Sequence, residues 1–238
     1  MCTVTLFPVN TTDFILTSNR DESPNRRALA PRIYTMGSAE VLLPKDEISG
    51  GSWIGASSKK RVLCLLNGGS IPYLRKATYR KSRGEVVRDF LTADMLLETI
   101  EAYNLSDIEP FTLVIADWNT TLNYYEFIWD GLAKQLTLLT PEPRIWSSTT
   151  LYTQQQKDLR KDWFEAFKSK TELNAHSLLK FHHTAGNEHP DFGVVMDRGF
   201  VKTTSITQVI KNKNKIAMRF ESLDSGETTY EEIVLKEG

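Results

Sequence analysis

Hydrophobic and polar positions alternate at the very start of the chain. Cys2, Val4 and Leu6 fall on one side and the residues between them on the other, which is the period-two pattern of a strand. Turn-forming residues follow at positions 8–13. A second apolar run, residues 14–18, predicts a second strand, so the chain is expected to open with a β-hairpin.

The next stretches combine a predicted loop with a second hairpin. The segment from Asn19 to Pro31 is polar and contains two prolines, which predicts a long loop. Residues 52–57 and 61–67 flank a lysine-containing turn and predict another hairpin. The second of these strands is almost continuously apolar, as expected for a strand buried on both faces.

Helical periodicity appears in two pairs of segments. Ser82 and Glu85 have the spacing of a capping box, and apolar residues follow at helical intervals. A second short helix is predicted over residues 95–103. A later pair is predicted over 153–168 and 174–183, the first with one apolar face. The remaining strands are predicted at residues 111–118, 122–129, 134–139, 200–210, 216–223 and 228–235.

This order of elements indicates an α+β fold. Strands, two helices, strands, two helices and strands follow one another, and most strands are joined as antiparallel hairpins. Two sheets packed face to face with the helices outside would bury all the apolar faces. No linker-like stretch divides the 238 residues, so a single domain spanning 1–238 is expected.

Composition excludes several classes of protein. The formal net charge of −1 argues against a nucleic-acid binder, which usually has a basic excess. The longest clean apolar run, residues 111–116, is far too short to cross a membrane, so no transmembrane segment is expected. The N-terminus lacks the pattern of a classical signal peptide, which predicts a cytoplasmic protein. The sequence does not indicate an oligomeric state.

Metal and cofactor sites are not indicated either. Two cysteines are too few for a disulfide framework or a four-cysteine zinc site, and no phosphate-loop, dinucleotide or zinc-protease motif is present. His182, His183 and His189 form the densest histidine group, which is open to ligation of a metal or haem iron. A solvated helix end is the favoured interpretation. Cys64 lies in an apolar strand and is expected to pack as a small hydrophobic residue.

Cys2 is the most informative residue. After removal of Met1, the thiol of Cys2 would lie beside the free α-amine of the same residue. A thiol with a pKa near ~8.5 and an amine near ~7.7–8.0 are well matched for proton exchange, so the amine can serve as general base for its own thiol. The alternative is a small residue at the start of an edge strand.

A charged tetrad follows the second predicted strand. It consists of Asn19, Arg20, Asp21 and Glu22. The predicted hairpin would return the chain to the region of Cys2 and place Arg20 and Asp21 beside its thiol. There the cation would lower the thiol pKa and the carboxylate would orient the amine. The alternative is a solvated charged loop.

Together, Met1-Cys2-Thr3 and the Asn-Arg-Asp-Glu tetrad resemble the N-R-D-E family, also called the transport and Golgi organisation family. Three further stretches fit the resemblance: residues 50–55, the strand ending at Asn67, and residues 202–206. The family in turn is similar to N-terminal-nucleophile (Ntn) hydrolases of the choloylglycine hydrolase and penicillin V acylase group. That similarity implies a four-layer α/β/β/α sandwich and a cysteine exposed after removal of the initiator methionine.

The resemblance implies catalytic roles for Cys2, Arg20, Asp21 and Asn67. Cys2 corresponds to the nucleophile, and Arg20 and Asp21 fall in the region that supplies an Arg and Asp pair in the acylases. Here the two are adjacent, whereas the acylases separate them by two residues, so individual roles are not assigned. Asn67 is either an oxyanion-hole donor or a strand-ending turn residue. The candidate substrate-binding residues are Asn19, Trp53 and Gly68.

Two functions follow as expectations. The first is an Ntn-type amidohydrolase or acyltransferase that cleaves a non-peptide amide through Cys2 and needs no cofactor. The alternative is a non-catalytic binding or trafficking protein for haem or a lipid or acyl ligand on the same fold, because a fold does not fix a function. The expected partner is therefore a small-molecule amide, acyl or haem-like ligand.

Overall fold

The first two strands form the predicted hairpin. The computed structural model describes residues 3–71 and 73–235, in which β1 (Thr3–Pro8) pairs antiparallel with β2 (Phe14–Glu22). Val4 and Leu6 face the main core, as the alternation predicts. Cys2 lies outside the described residues.

The elements then follow in the predicted alternation of strands and helix pairs. Four strands and two helices come next: β3 (Ala28–Met36), β4 (Ala39–Asp46), β5 (Ile54–Ser57), β6 (Arg61–Asn67), α1 (Arg83–Thr92) and α2 (Leu96–Ala102). The middle of the chain forms β7 (Phe111–Asp117), β8 (Asn123–Trp129), β9 (Lys134–Leu139), β10 (Arg144–Ser147), α3 (Gln154–Lys170) and α4 (Ala175–Thr184). The last strands are β11 (Lys202–Asn212), β12 (Lys215–Ser222) and β13 (Thr228–Val234).

These strands form two sheets in which all neighbouring strands are antiparallel. One sheet has the order β10-β1-β2-β11-β12-β13, and the other has the order β3-β4-β5-β6-β7-β8-β9. The second sheet is a meander in chain order. The first joins the opening hairpin to the C-terminal strands, with β2 next to its centre. Both faces and both edges of β2 are therefore covered.

The helices lie on the two outer faces. Helices α3 and α4 pack on β10, β2 and β11, while α1 packs on β4, β5 and β6. The largest core cluster includes Val4 and Leu16 from the first sheet and Leu63 and Val114 from the second, and it extends to Val87 of α1. A separate cluster around Phe164 and Phe181 lies under α3 and α4. The predicted α+β fold with two antiparallel sheets and outer helices is confirmed.

The predicted loop from Asn19 to Pro31 is wrong at both ends. Strand β2 continues through Glu22, because β11 pairs along its other edge and hydrogen-bonds the polar residues as part of the sheet. Strand β3 already begins at Ala28. Pro31 is accommodated because β3 is an edge strand and its register shifts between Leu29 and Arg32.

Three strands escaped prediction, and the helices were predicted well. Strands β3 and β4 and the short β10 have no clear alternation of their own, and all three are ordered by neighbouring strands. The predicted capping box of Ser82 and Glu85 is present at the start of α1. Thr153, the first residue of the predicted third helix, is the N-cap of α3. Within the described part of the chain, no helix is both long and apolar enough to cross a membrane.

Candidate functional site

The start of β1 and the charged part of β2 lie side by side. Thr3, the first described residue, pairs with Asn19, and β2 continues directly into Arg20 and Asp21. On its other edge β2 pairs with β11, where Thr203 lies opposite Asp21. The sheet thus holds Arg20 and Asp21 close to Thr3, and both side chains are buried.

The Arg20 side chain points into the space between the two sheets and contacts Asp46 of the second sheet. Its guanidinium donates to Asp46 Oδ2 at 2.5 Å, to Thr204 Oγ1 at 3.1 Å and to the main-chain oxygen of Arg26 at 2.9 Å. It also lies over the ring of Trp53, 4.7 Å from the centroid. Burial lowers the pKa of Arg20, although Glu22 and Asp46 oppose that effect. The guanidinium is therefore fixed in position by contacts on several sides.

Asp46 is the acid that holds this arrangement together. Its Oδ1 accepts from the Ser49 N–H at 2.8 Å and the Ser49 hydroxyl at 2.9 Å, while Oδ2 accepts from Arg20 and forms an ion pair with Arg26, whose Nε lies 2.8 Å away. Burial opposes its charge, but the Ser49 hydrogen bonds and the two arginines outweigh burial and hold the pKa of Asp46 below its usual value. Asp46 is thus an anion that anchors Arg20.

Asp21 points to the opposite face of the sheet from Arg20. Successive side chains of a strand alternate between its faces. The Asp21 carboxylate accepts from the Thr203 hydroxyl at 2.6 Å and from the Tyr152 hydroxyl at 2.7 Å. The Tyr152 ring lies under the guanidinium of Arg160, 3.6 Å from the centroid. The structure therefore brings Arg20 and Asp21 to the same strand segment but not to the same face.

Asn19 is also on the helix-covered face, and it binds a histidine. Its Nδ2 donates to the main-chain oxygens of His182 at 3.0 Å and Val194 at 2.8 Å, and its Oδ1 lies 2.5 Å from His182 Nδ1. The other ring nitrogen, Nε2, lies 2.7 Å from Thr5 Oγ1. Since Asn19 Oδ1 accepts, Nδ1 carries the proton and Nε2 accepts from Thr5. The amide of Asn19 is fully used within the fold and does not line the cavity described below.

The prediction that the histidines form a solvated helix end is wrong for His182. Its side chain is completely buried, and burial lowers its pKa to about 3. Adjacent residues of a helix point in different directions, so His183 behaves differently and contacts Glu221 at the surface. His189 stacks on Phe192 and Trp163. Cys64 is buried as predicted, and burial raises its pKa to about 12.

A cavity of about 300 Å³ opens between the ends of the two sheets. Arg20, Trp53 and Asn67 all line it, so three of the predicted residues lie around one space. The indole N–H of Trp53 has no hydrogen-bond partner among the described residues. An adjoining space of about 270 Å³ shares Asn67 with the cavity and extends to Thr150 and Leu151.

Asn67 and Gly68 follow one another but differ in position. The Asn67 main-chain oxygen accepts from the Ser148 hydroxyl at 2.8 Å, which fixes the backbone at the end of β6. The Gly68 N–H donates to the Pro110 oxygen at 3.1 Å, and its φ of +88° favours glycine. Gly68 lines a different pocket, of about 190 Å³, rather than the cavity that contains Arg20.

The cavity wall opposite the sheets is a loop that sequence reasoning missed. We define the basic loop as residues 68–82, which connect β6 to α1. Glu109 fixes the position of this loop. Its carboxylate accepts a hydrogen bond from the Tyr73 hydroxyl at 2.7 Å and forms ion pairs with Arg75 at 3.2 Å and Arg83 at 3.1 Å. Asp46 and Glu109 carry no motif in the sequence. Their cations come from distant segments, so only the fold identifies them.

The donor set does not resemble a metal centre. Among residues 3–71 and 73–235, no group of three or more His, Cys, Asp or Glu side chains is placed to hold a metal ion. The carboxylates that line the cavity, Glu22, Asp46 and Glu109, are each paired with arginines. The site is instead a buried arginine, an indole and an amide around one space.

Comparison with known sequences assigns the family. The sequence model described as Transport and Golgi organisation 2 matches residues 1–220. The chain belongs to the transport and Golgi organisation 2 family. The resemblance inferred from Cys2 and the Asn-Arg-Asp-Glu tetrad is thereby confirmed. A search of curated proteins found no match.

Solved structures support the fold. An N-acylethanolamine-hydrolyzing acid amidase ortholog from Caenorhabditis elegans superposes with a TM-score of 0.59 at 12% identity, covering 87% of this chain and 92% of that one. Two variants of a conjugated bile acid hydrolase from Clostridium perfringens each give 0.56 at 12% identity, covering 100% of this chain and 97% of theirs. At this identity the likeness shows the fold alone. The family member described here thus has the Ntn-hydrolase fold.

Proposed function

We propose that this protein is an Ntn-type amidohydrolase that cleaves a non-peptide amide through Cys2 after loss of Met1. The observation that carries the proposal is the pairing of Thr3 with Asn19, the residue immediately before Arg20 and Asp21. A peptide bond holds the Cα atoms of Cys2 and Thr3 about 3.8 Å apart. The alternation predicted from the sequence assigns residue 2 to the face of Val4 and Leu6, the face on which Arg20 lies.

In this proposal Arg20 and Asp21 act on different parts of residue 2. Arg20 is a fixed cation at the cavity, and a nearby cation lowers a thiol pKa and favours the thiolate. Asp21 is a buried carboxylate on the other face, held by Thr203 and Tyr152. It would orient the α-amine. This division accounts for two adjacent residues serving one terminal residue from opposite sides of a strand.

The reaction proceeds through an acyl-enzyme. As Cys2 Sγ bonds to the amide carbon, its proton passes to the α-amine, and the carbonyl oxygen becomes an oxyanion. The intermediate collapses when the C–N bond breaks, and the leaving amine takes the proton from the ammonium group. Water then adds to the thioester with the α-amine as base, the C–S bond breaks, and a carboxylic acid and the free thiol result.

Asn67 is the proposed oxyanion donor. It lines the cavity with Arg20, and its backbone is fixed by Ser148. Donors held in place before reaction stabilise developing negative charge because they need not reorganise. The Gly68 N–H already donates to Pro110, so the second donor is another main-chain N–H. Trp53, with its unpartnered N–H, is the proposed substrate contact.

The test compares a variant of Cys2 with a control variant of Cys64. A panel of small N-acyl amides is incubated with the wild-type protein, with Cys2→Ser and with Cys64→Ala. We expect wild type and Cys64→Ala to hydrolyse the same amides, because Cys64 is buried and its thiol stays protonated. Cys2→Ser should lose nearly all activity. Equal rates for Cys2→Ser and wild type would exclude Cys2 as the nucleophile.

The carrier function predicted as the alternative is tested with the same amide panel and an additional variant, Cys2→Ala. The cavity joins an indole to several arginines, and such a lining also suits an apolar ligand with an acidic group. A carrier would bind haemin or a fatty acid with no hydrolysis of any amide in the panel. If haemin shifts its Soret band with wild type but not with Cys2→Ala, and no amide is cleaved, the carrier function replaces the hydrolase.

A further inference from the structure

The basic loop has an unusual composition for this chain. Residues 68–82 contain four cationic residues and no Asp or Glu, whereas the whole chain has a formal net charge of −1. The four are Arg75, Lys76, Arg80 and Lys81. A local concentration of positive charge in a nearly neutral protein attracts an anionic partner.

The same loop exposes apolar side chains. Leu74 is 96% exposed and Ile71 is 58% exposed, and neither lies in a helix or strand. They precede Arg75 and Lys76 by one to five residues, so apolar and cationic side chains are near neighbours on one exposed loop. Apolar side chains beside Lys and Arg are the combination with which proteins bind the interface of anionic bilayers.

Two cations of the loop reach solvent although each has a partner. The Arg75 side chain is 73% exposed and pairs with the buried Glu109, and the Lys76 side chain is 63% exposed and pairs with Asp107. Exposed pairs such as Lys76–Asp107 contribute little to stability, so this lysine can exchange its partner for a lipid headgroup. Arg80 is held by the main-chain oxygens of Asn104 and Ser106 rather than by a carboxylate.

The basic loop is held in place at both ends, so a surface bound by the loop would have a fixed position relative to the cavity. Tyr73 is fixed through Glu109, and Lys81 is paired with Asp89. The loop residues between them, 75–79, line the cavity that contains Arg20. A surface bound by the loop would therefore lie at the mouth of this cavity.

We propose that the basic loop docks the protein on an anionic lipid bilayer, with Leu74 and Ile71 entering the interface and Arg75, Lys76 and Arg80 contacting lipid phosphates or carboxylates. The chemistry recognised is a sheet of negative charge over an apolar layer. This docking is independent of whether Cys2 is catalytic.

Vesicle co-sedimentation tests the proposal. The full chain is spun with vesicles of phosphatidylcholine alone and with vesicles containing phosphatidylserine. We expect binding only to the anionic vesicles, with release at high salt. Arg75→Gln with Lys76→Gln should lower the partition coefficient about 30-fold, since each cation at such a surface contributes about 1 kcal/mol.

A second pair of variants tests the apolar contribution. Leu74→Ser with Ile71→Ser should weaken binding at least about tenfold, because burying one such side chain contributes about 1.5–3 kcal/mol. Leu132→Ser is the matched control, since Leu132 is 92% exposed but lies in the turn between β8 and β9. Its binding should equal that of wild type. Lys180→Gln, on the exposed side of α4, is the control for charge.

Three results would overturn the proposal. The first is a wild-type protein that sediments with neither kind of vesicle. The second is equal binding to neutral and anionic vesicles, which removes the role of the cations. The third is loop variants that bind as tightly as Leu132→Ser while their unfolding midpoints match that of wild type, which removes the role of the loop.

Discussion

Arg20 and Asp21 show how neighbouring charges acquire different surroundings. A β-strand turns successive side chains to opposite faces, so Arg20 meets Asp46 and Trp53 while Asp21 meets Tyr152 and Thr203. From the sequence the pair was expected to lie together beside Cys2. The strand that positions them separates their side chains, which is why the two roles proposed here differ.

Replacement of Asp46 by a neutral residue should remove the carboxylate that pairs with the buried Arg20 guanidinium. Asp46→Asn is expected to lower the free energy of unfolding by about 3 kcal/mol, because breaking a buried pair leaves an uncompensated charge. Urea unfolding monitored by tryptophan fluorescence measures the change. Glu142→Gln is the control, since Glu142 pairs with Arg144 at the surface and its loss should leave the midpoint unchanged. Equal midpoints for both variants would contradict the anchoring role of Asp46.

His182 should make the fold sensitive to acid. Its pKa is about 3 in the folded state against 6.5 as the ordinary value, so the unfolded chain binds more protons between these two pH values. Stability is then complete above pH 6.5 and falls as the pH drops toward about 3, by up to about 1.4 kcal/mol per unit.

The measurement compares unfolding free energies at pH 7.0, 6.0 and 5.0 for wild type and His182→Gln. Glutamine retains a donor and an acceptor near Asn19 and Thr5 but does not titrate. The variant should be less stable than wild type at pH 7.0 and should show a shallower loss toward pH 5.0. Parallel slopes for the two proteins would show that His182 does not cause the acid sensitivity.

Asn67 is the residue whose two interpretations can be separated by kinetics. If it donates to the oxyanion, Asn67→Ala lowers kcat by about 10²–10³ with little change in KM. If it only ends β6, the loss appears in stability instead. Rates are measured on an amide that wild type cleaves, with Asn123→Ala at the start of β8 as the control. An unchanged kcat with a lowered unfolding midpoint would assign Asn67 to structure alone.

Among the secondary-structure elements, those with local signals were predicted and those made by neighbours were not. The capping box of α1 and the alternation of β1 are properties of a few adjacent residues. The polar end of β2 has no such signal, because it is ordered as a strand by pairing with β11, whose partner residues lie 180 to 187 positions later in the chain. Likewise β10 exists because it pairs with β1. Long-range pairing is therefore what the local pattern missed.

The start of helix α1 packs closely against the segment that precedes Trp53, and a substitution of Gly84 tests this packing. A Cβ on Gly84 would lie 2.9 Å from the Ser52 nitrogen and 3.0 Å from Gly51 Cα, so the helix start packs directly on the segment before Trp53. Gly84→Ala should lower the free energy of unfolding by about 1–3 kcal/mol through overpacking, despite the better helix propensity of alanine.

Differential scanning calorimetry of Gly84→Ala measures this effect. Glu98→Ala on the exposed side of α2 is the control, and its melting temperature should stay within a degree or so of wild type. A Gly84→Ala protein that melts at or above the wild-type temperature would show that α1 can move away from Ser52 at no cost.

For the fold as a whole, the sequence was sufficient for the class and the family, and insufficient for the cavity. Strand and helix order predicted two antiparallel sheets with outer helices, and the first 22 residues indicated the family, as the comparison confirms. The cavity depends on Asp46, Glu109 and the basic loop. Their partners are brought together by sheet packing, so no sequence motif reports them.

If the sulfur and nitrogen of Cys2 form one catalytic unit, mass spectrometry of the purified protein before and after reaction with an activated N-acyl amide detects it. We expect an intact mass without Met1, then a single acyl adduct that peptide mapping places on Cys2 and that disappears as the acid is released. A chain that retains Met1, or an adduct mapped to any residue other than Cys2, would contradict it.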